Sequence, residues 1–545
     1  MAIDYEALGK RISNARKQIG ITQEALGEQL NMTRKHISVI ETAINRPSLD
    51  TLVDIANALN VSADDLLVDS LTHSASTANS EIHRLLLDSL SNGTGFYRNA
   101  SNELCCEDTL LSDIAHRWGT PTYVYSRAAI TERWNAYETA FGTAPHQICY
   151  AVKAASTKGI LEVLAALGAG FDCVSGGEIL RVLAAGGDPK KIVFSGVAKT
   201  PADIAFALTA GIKCFNIESP AELDRIANTA RNLGLKAHIS VRVNPNIDAH
   251  VDHHVATGLG DSKFGVKLTD VIALYQKAAE LKEIEIEGIS CHIGSLVEST
   301  VPYMSEIEVL SVFVNELLDR GIALKHFDIG GGAGVAYKAD EKTLEPSELI
   351  PAVVAQIRSL VKIPDIEILI EPGRSIIAQA GVLLTRVEYL KSGLFERNFC
   401  VVDASMTELV RPAMYGSHHE IEPVSPRSDI EPERLNIVGG VCESSDILGS
   451  DRELAVAPGD LLAIRTAGAY GMSMASTYNS RPLPMEVLVD GAAIRPLRRR
   501  MTALDLLSDE YDLGLVQACI PADEVKTLFT QAQTYSEHPE DHDNK

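Results

Sequence analysis

The residues best equipped for chemistry are Lys153, His292, Glu371, Arg374, Arg411 and Cys442. Lys153 ends a short run, Ile148 to Val152, whose apolar and β-favouring residues predict a strand, and a helical pattern follows Thr157. At the C-terminal mouth of a parallel barrel, such a lysine can form a Schiff base with a carbonyl, a substrate's or an aldehyde cofactor's. Alone, a lysine there is ordinarily a solvated strand end. Three further strand ends change the picture. His292-Ile293-Gly294-Ser295 closes one apolar run, Gly330-Gly331-Gly332-Ala333-Gly334 another, and Glu371-Pro372-Gly373-Arg374 a third. Glycine-rich turns offer backbone N–H groups to an anion, and barrels bind phosphate in the loops after strands seven and eight.

Eight such runs must position these groups: 148–152, 170–174, 192–195, 214–217, 237–243, 286–293, 326–329 and 367–371. Helical patterns separate them over roughly 240 residues, which predicts a (β/α)8 barrel rather than an open sheet. After Leu384 the pattern turns all-β. The expected class is α/β, a barrel plus a C-terminal β domain, preceded by a small all-α domain. The expected bounds are an all-α unit at 1–70, linker and short helix at 71–94, strands packing with the β domain at 95–125, the barrel at 126–385, the β domain at 386–530, and a disordered tail at 531–545.

A chain of 545 residues is too long for one domain, and its 46% hydrophobic content supports large cores. No apolar run is long enough to span a bilayer, and the N-terminus lacks the regions of a secretory signal. A cytoplasmic location is expected. The net charge of −24 argues against nucleic acid as a partner of the whole chain, though not of a small module. Nine cysteines without a regular framework read as reduced thiols, and no Cys/His spacing suggests a structural metal.

Residues 1–70 read as five short helices. Leu8, Ile12 and Ala15 share a face, and Thr22 and Thr33 are placed as N-caps. The unit resembles the phage-repressor (XRE/Cro-type) helix-turn-helix family in T-Q-E-x-L at 22–26, Ile40-Glu41, and R-P-S-L-x-T-L at 46–52. That resemblance implies DNA as a partner. The helix at 33–41 would be the recognition helix, with Thr33, Arg34, Lys35 and Ser38 meeting bases and phosphates and Gln23 near the backbone. The unit is not basic overall, with seven Lys/Arg against ten Asp/Glu, so a protein-interaction domain is the alternative.

From about residue 95 to 530 the chain resembles the fold-type III, alanine-racemase-like pyridoxal-phosphate decarboxylases, and among them the diaminopimelate decarboxylases. The resemblance rests on Y-A-V-K-A (150–154), G-F-D-C-V-S-G-G-E (170–178), S-K-F-G-V (262–266), H-I-G-S (292–295), G-G-G (330–332) and E-P-G-R-S (371–375). In the β domain it adds R-P-A-M-Y (411–415), C-E-S-S-D (442–446) and G-A-Y-G-M-S-M-A-S-T-Y-N (468–479).

The resemblance implies roles. Lys153 would hold pyridoxal 5'-phosphate and move protons, with Asp172 beside it. His292 would stack on the cofactor ring, and Glu371 would pair with its pyridine nitrogen. Ser295, Gly331, Gly332, Gly373 and Arg374 would cradle the phosphate, with Tyr470 touching phosphate and substrate. Arg374, Arg411 and Tyr415 would bind the distal carboxylate of meso-diaminopimelate, and Glu443 its ammonium. Cys442 would be the general acid, reaching the site with Glu443 from the partner subunit of a homodimer with shared active sites. Asp446 reads as structural.

The chain departs from the family at Val197-Ala198-Lys199 and Ser405-Met406-Thr407. Two alternatives therefore stand beside an active enzyme. One is a DNA-binding regulator that senses pyridoxal phosphate or an amino acid. The other is a decarboxylase of a different D-configured diamino acid.

Overall fold

The computed structural model describes residues 5–18, 21–30, 32–45, 47–59, 93–247, 262–338, 340–394, 397–511, 524 and 526–530. The fifth expected helix of the N-terminal unit, the expected linker and short helix as far as residue 92, and the tail lie outside the described residues. The chain divides into two compact units, residues 1–90 and 91–545.

The first unit contains α1 (Tyr5–Gln18), α2 (Gln23–Gln29), α3 (Arg34–Glu41) and α4 (Leu49–Leu59). Leu8, Ile12, Leu26, Ile37, Ile40, Leu52 and Ile55 form its core. Thr22 caps α2 by accepting from the Ala25 amide, and Thr33 caps α3 by accepting from His36. Under the core, Arg16 donates to both carboxylate oxygens of Glu41 at 2.6 and 3.0 Å, and Gln23 adds a third donor at 2.8 Å. Burial works against the Glu41 charge, but these donors outweigh it and hold the carboxyl below its usual range.

Glu41→Ala would leave the Arg16 cation buried and unpaired, at a cost of about 3–5 kcal/mol. A helical unit this small has little more stability than that. Calorimetry should therefore show the melting of the N-terminal unit lost or sharply lowered, while the transition of the larger unit stays in place.

The second unit opens with a small antiparallel sheet, β1 (Phe96–Arg98), β2 (Leu104–Cys106) and β3 (Thr109–Leu110), followed by β4 (Thr122–Ser126). Eight parallel strands then close a barrel: β5 (His146–Ala151), β6 (Gly170–Cys173), β7 (Ile192–Phe194), β8 (Cys214–Ile217), β9 (Ala237–Asn244), β11 (Ile284–Cys291), β12 (His326–Asp328) and β13 (Glu367–Ile370). Each pairs with the next in that order, and β13 pairs back onto β5. All eight expected runs are strands of this barrel. A short ninth strand, β10 (Val266–Lys267), lies on β9 and was not expected.

Inside the barrel, Cys149, Val193, Cys214 and Leu369 form one small apolar cluster. Asp172, Ser195, Asn216, Arg242, Ser290, Asp328 and Glu371 are also buried, at or just beyond the strands' C-terminal ends. This polarity is what binding sites at barrel mouths require.

The β domain holds β14 (Gly381–Lys391), β15 (Asn398–Val402), β16 (Ile421–Pro423), β17 (Glu433–Val438), β18 (Ile447–Leu454), β19 (Leu461–Ile464), β20 (Met485–Asp490) and β21 (Ala493–Arg498). Its main sheet runs β18-β17-β15-β14-β4-β20-β21, so β4, which precedes the barrel, is interior to a sheet that otherwise follows it.

Candidate active site

Lys153 stands just past β5, as expected, in a single 3-10 turn, Val152–Ala154. That turn is tied to the β domain. The Tyr470 amide and Ser473 hydroxyl donate to the Ala154 carbonyl at 2.8 and 3.2 Å. Thr157 bonds the fully buried Glu486, which also receives Tyr125 and Arg498. Tyr470 takes a left-handed backbone, φ 54°, a conformation unusual for a residue with a Cβ. The lysine Nζ lies 2.5 Å from Asp172 Oδ2 on β6. Burial disfavours the Lys153 charge, yet Asp172, Tyr470 and Glu371 outweigh it and raise the ammonium above its ordinary pKa. Asp172 is itself driven down, against burial, mainly by the lysine.

His292 follows β11 and accepts from the Gly331 amide at Nδ1, 3.2 Å. Burial first, then the Arg242 and Lys153 charges, push it down to about 3, so the imidazole is neutral. Three loops meet here so closely that side chains would collide. A Cβ on Gly331 would lie 2.0 Å from the Glu371 carbonyl, and one on Gly332 would lie 2.1 Å from that of Gly294. Since Gly331 gives its amide to His292, Gly332 is the glycine of the pair whose amide meets no acceptor among the described residues. Glu371 is 8% exposed and held well above the usual carboxyl range, by burial and then by Asp172 and Asp328. A carboxyl in that state ionises readily only beside a cation.

A cavity of about 440 Å3 brings together Lys153, His292, Ser295, Arg374, Arg411, Tyr415 and Tyr470. A narrower recess shares Lys153, His292, Ser295, Arg374 and Tyr470 and leads to Glu371, Gly332 and Gly373. Arg374 donates to Ser295 Oγ and to the Tyr337 hydroxyl, the latter at 2.7 Å, and its guanidinium lies 4.7 Å from the Tyr470 ring centre. Arg411 lies 4.5 Å from the Tyr337 ring centre and bonds His419 Nε2 at 2.9 Å. These arginines are 7% and 2% exposed, and neither has a carboxylate partner among the described residues. Two buried cations without counterions form a site for anions.

Tyr337 and His419 went unread in the sequence because each touches an arginine distant in the chain and stands outside a motif. Their signal was positional: Tyr337 shortly after the glycine run, His419 just past Tyr415. The two departures from the family pattern prove to be framework. Lys199 is buried against Glu222 at 2.6 Å and two carbonyls, and the Ser405 hydroxyl receives the Gly440 amide.

Cys442 and Glu443 do not line the cavity of their own chain; both are exposed. Asp446 fixes their loop by accepting from Met406 and Val441 amides at 2.6 and 2.8 Å. Asn479 receives the Cys442 amide, and Tyr478 donates to Glu443 at 2.6 Å. Cys442 is the one exposed thiol among the described cysteines.

In the N-terminal unit, Thr33, Arg34 and Lys35 are exposed at the start of α3, with Ser38 half-buried one turn on. Gln23 is half-buried and directs its amide at Glu41.

Residues 127–378 match the family model of the pyridoxal-dependent decarboxylase pyridoxal-binding domain, and residues 12–66 match a helix-turn-helix model. The chain is 49% identical to a diaminopimelate decarboxylase of Pseudomonas aeruginosa over 76% of its own length and 98% of that protein. It is 46% identical to one of Vibrio cholerae, over 74% and 96%. Among solved structures, a diaminopimelate decarboxylase of Helicobacter pylori complexed with L-lysine is 39% identical, with a TM-score of 0.69 over 73% of this chain and 98% of that one. One from M. jannaschii in co-complex with L-lysine is 34% identical, with a TM-score of 0.74 over 78% and 100%.

Proposed function

The chain belongs to the diaminopimelate decarboxylase family, and on that premise we propose that it converts meso-2,6-diaminopimelate to L-lysine and CO2 with pyridoxal 5'-phosphate as cofactor. The observation that carries this reading is the pair of buried, uncompensated guanidiniums, Arg374 and Arg411, on the cavity that holds Lys153. A diamine head alone would not need them, whereas a distal carboxylate does.

The donor set fits the cofactor. Lys153 offers an amine at the cavity wall, and Asp172, 2.5 Å away, holds it there as an ion-pair partner. Glu371, its carboxyl held up by burial and by Asp172 and Asp328, would become a charged partner for a pyridine nitrogen. Ser295, the Gly332 amide, the turn at Gly373 and the Arg374 backbone would hold the phosphate, the Gly331 amide being spent on His292. His292, neutral and tethered to Gly331, presents a ring face rather than a charge. The cofactor, when bound, supplies the electron sink for the carbon that loses CO2.

On the substrate side, Arg374 and Arg411 clamp the distal carboxylate, Tyr415 adds a hydroxyl, and Tyr470 contacts phosphate and substrate. Cys442 Sγ delivers a proton to the reacting carbon, and Glu443 takes the distal ammonium. Their exposure away from the cavity of their own chain supports a role in the site of a second copy, in a homodimer. Its location would be the cytoplasm, in keeping with buried, unpaired thiols; no helix among the described residues is long and apolar enough to cross a membrane.

The deciding test is CO2 release from meso-diaminopimelate by the protein loaded with pyridoxal phosphate. Loading without turnover would sink this substrate and leave an amino-acid-sensing regulator or a decarboxylase of another D-configured diamino acid.

The N-terminal unit extends the proposal to sequence-specific DNA, read by Thr33, Arg34, Lys35 and Ser38 with Gln23 at the backbone. Each lysine or arginine that neutralises a phosphate adds about one to the slope of log affinity against log salt. Arg34→Ala and Lys35→Ala should each weaken binding to a selected operator and flatten that slope by about one. Unchanged slopes in both would remove α3 from the phosphate backbone.

A further inference from the structure

We infer that His419 is a positioning residue for substrate choice: it aims Arg411 at the distal carboxylate through a neutral hydrogen bond that leaves the guanidinium charge unspent. The inference rests on the proposed function and deepens it. The ring's two bonds define its state. Nδ1 lies 2.9 Å from the Arg465 carbonyl, which can only accept, so Nδ1 carries the proton. Nε2 lies 2.9 Å from Arg411 Nη1, which can only donate, so Nε2 is the acceptor. One neutral tautomer satisfies both. Burial, then the Arg411 charge, keep the ring in it, with its pKa pushed down to about 3.

His419 is fully buried, and its ring meets Tyr337 edge-on at 5.2 Å. Arg411 is thus held on two sides, by the imidazole nitrogen and by the Tyr337 face at 4.5 Å. An aspartate or glutamate at 419 would hold the guanidinium equally well, but it would also neutralise it. A histidine acceptor orients the cation and keeps it available. Arg374, anchored by the Tyr337 hydroxyl and Ser295, is also held only by neutral oxygens, so the same logic serves both arms of the clamp.

The test compares His419→Leu, His419→Gln and His419→Glu in the cofactor-loaded protein. Substrates are meso-diaminopimelate and D-lysine, which lacks the distal carboxylate. Ligands for calorimetry are L-lysine, which keeps that carboxylate, and cadaverine, which does not. H419L should raise KM for diaminopimelate about 10- to 100-fold, the effect of losing a bond to a charged group, with kcat within about 3-fold. L-lysine affinity should fall by a similar factor. D-lysine turnover and cadaverine affinity should change less than about 3-fold. H419Q, a neutral acceptor, should recover most of the loss, while the nearly isosteric H419E should not.

Parallel losses on both substrates and both ligands would mark a merely structural histidine and overturn the inference, as would H419E matching H419Q. Should H419L not fold, the Gln/Glu pair decides. A wild type that binds L-lysine but turns over no diaminopimelate would refute the proposed reaction, and the lysine–cadaverine comparison would still judge His419.

Discussion

Lys153→Ala should abolish CO2 release from meso-diaminopimelate, by about 10^4-fold or more, the scale of losing a covalent catalytic group. It should also abolish the absorbance of covalently held cofactor. On the proposed reading the amine has two jobs. As a cation it neutralises buried Asp172, 2.5 Å away; as a nucleophile it would hold the cofactor. Lys153→Arg keeps the charge beside Asp172 but cannot form the covalent link. If both variants are equally inactive while only the alanine variant loses thermal stability, the nucleophile carries the activity and the ion pair carries part of the fold. Substantial turnover in Lys153→Arg would refute the covalent role.

Cys442→Ala should lower kcat about 10^2- to 10^4-fold, the range for a positioned general acid, with little change in KM. Its exposure on its own chain gives the sharper test. Lys153→Ala and Cys442→Ala chains, each nearly inactive, should complement when mixed and exchanged. Half of the dimers would be mixed, and one of the two sites in each would have every residue, so recovery should approach about a quarter of wild type. No recovery, with exchange verified, would mean that Cys442 serves no second copy's site.

The barrel was legible because each strand is a short apolar run with its chemistry at one end. Lys153, His292 and Glu371 stand just past β5, β11 and β13, where periodicity placed them. Sequence proximity failed where contacts are distant. Tyr337 and His419 meet Arg374 and Arg411 across separate loops, and no local pattern ties them together. Lys199 looked like a departure near a strand end, yet its charge is consumed by Glu222. The two-residue β10 has too little periodicity to register. In the N-terminal unit the caps Thr22 and Thr33 were readable from residue type, while the buried Arg16–Glu41–Gln23 knot, a pairing across three helices, was not.

The placement of β4 bears on how the chain is made. Tyr125 pairs with Gly381, 256 residues later, and Thr122 pairs with Met485 later still. At about 5–20 residues per second, a ribosome leaves β4 without its neighbours for roughly 13–50 s while the whole barrel emerges. A lone strand of five buried residues is a template for wrong partners during that wait. Premature termination anywhere between the barrel and β20 should therefore yield aggregates rather than a shorter folded protein. The barrel, though continuous in sequence, behaves as an insertion whose release from the nascent chain is completed only by the strands translated last.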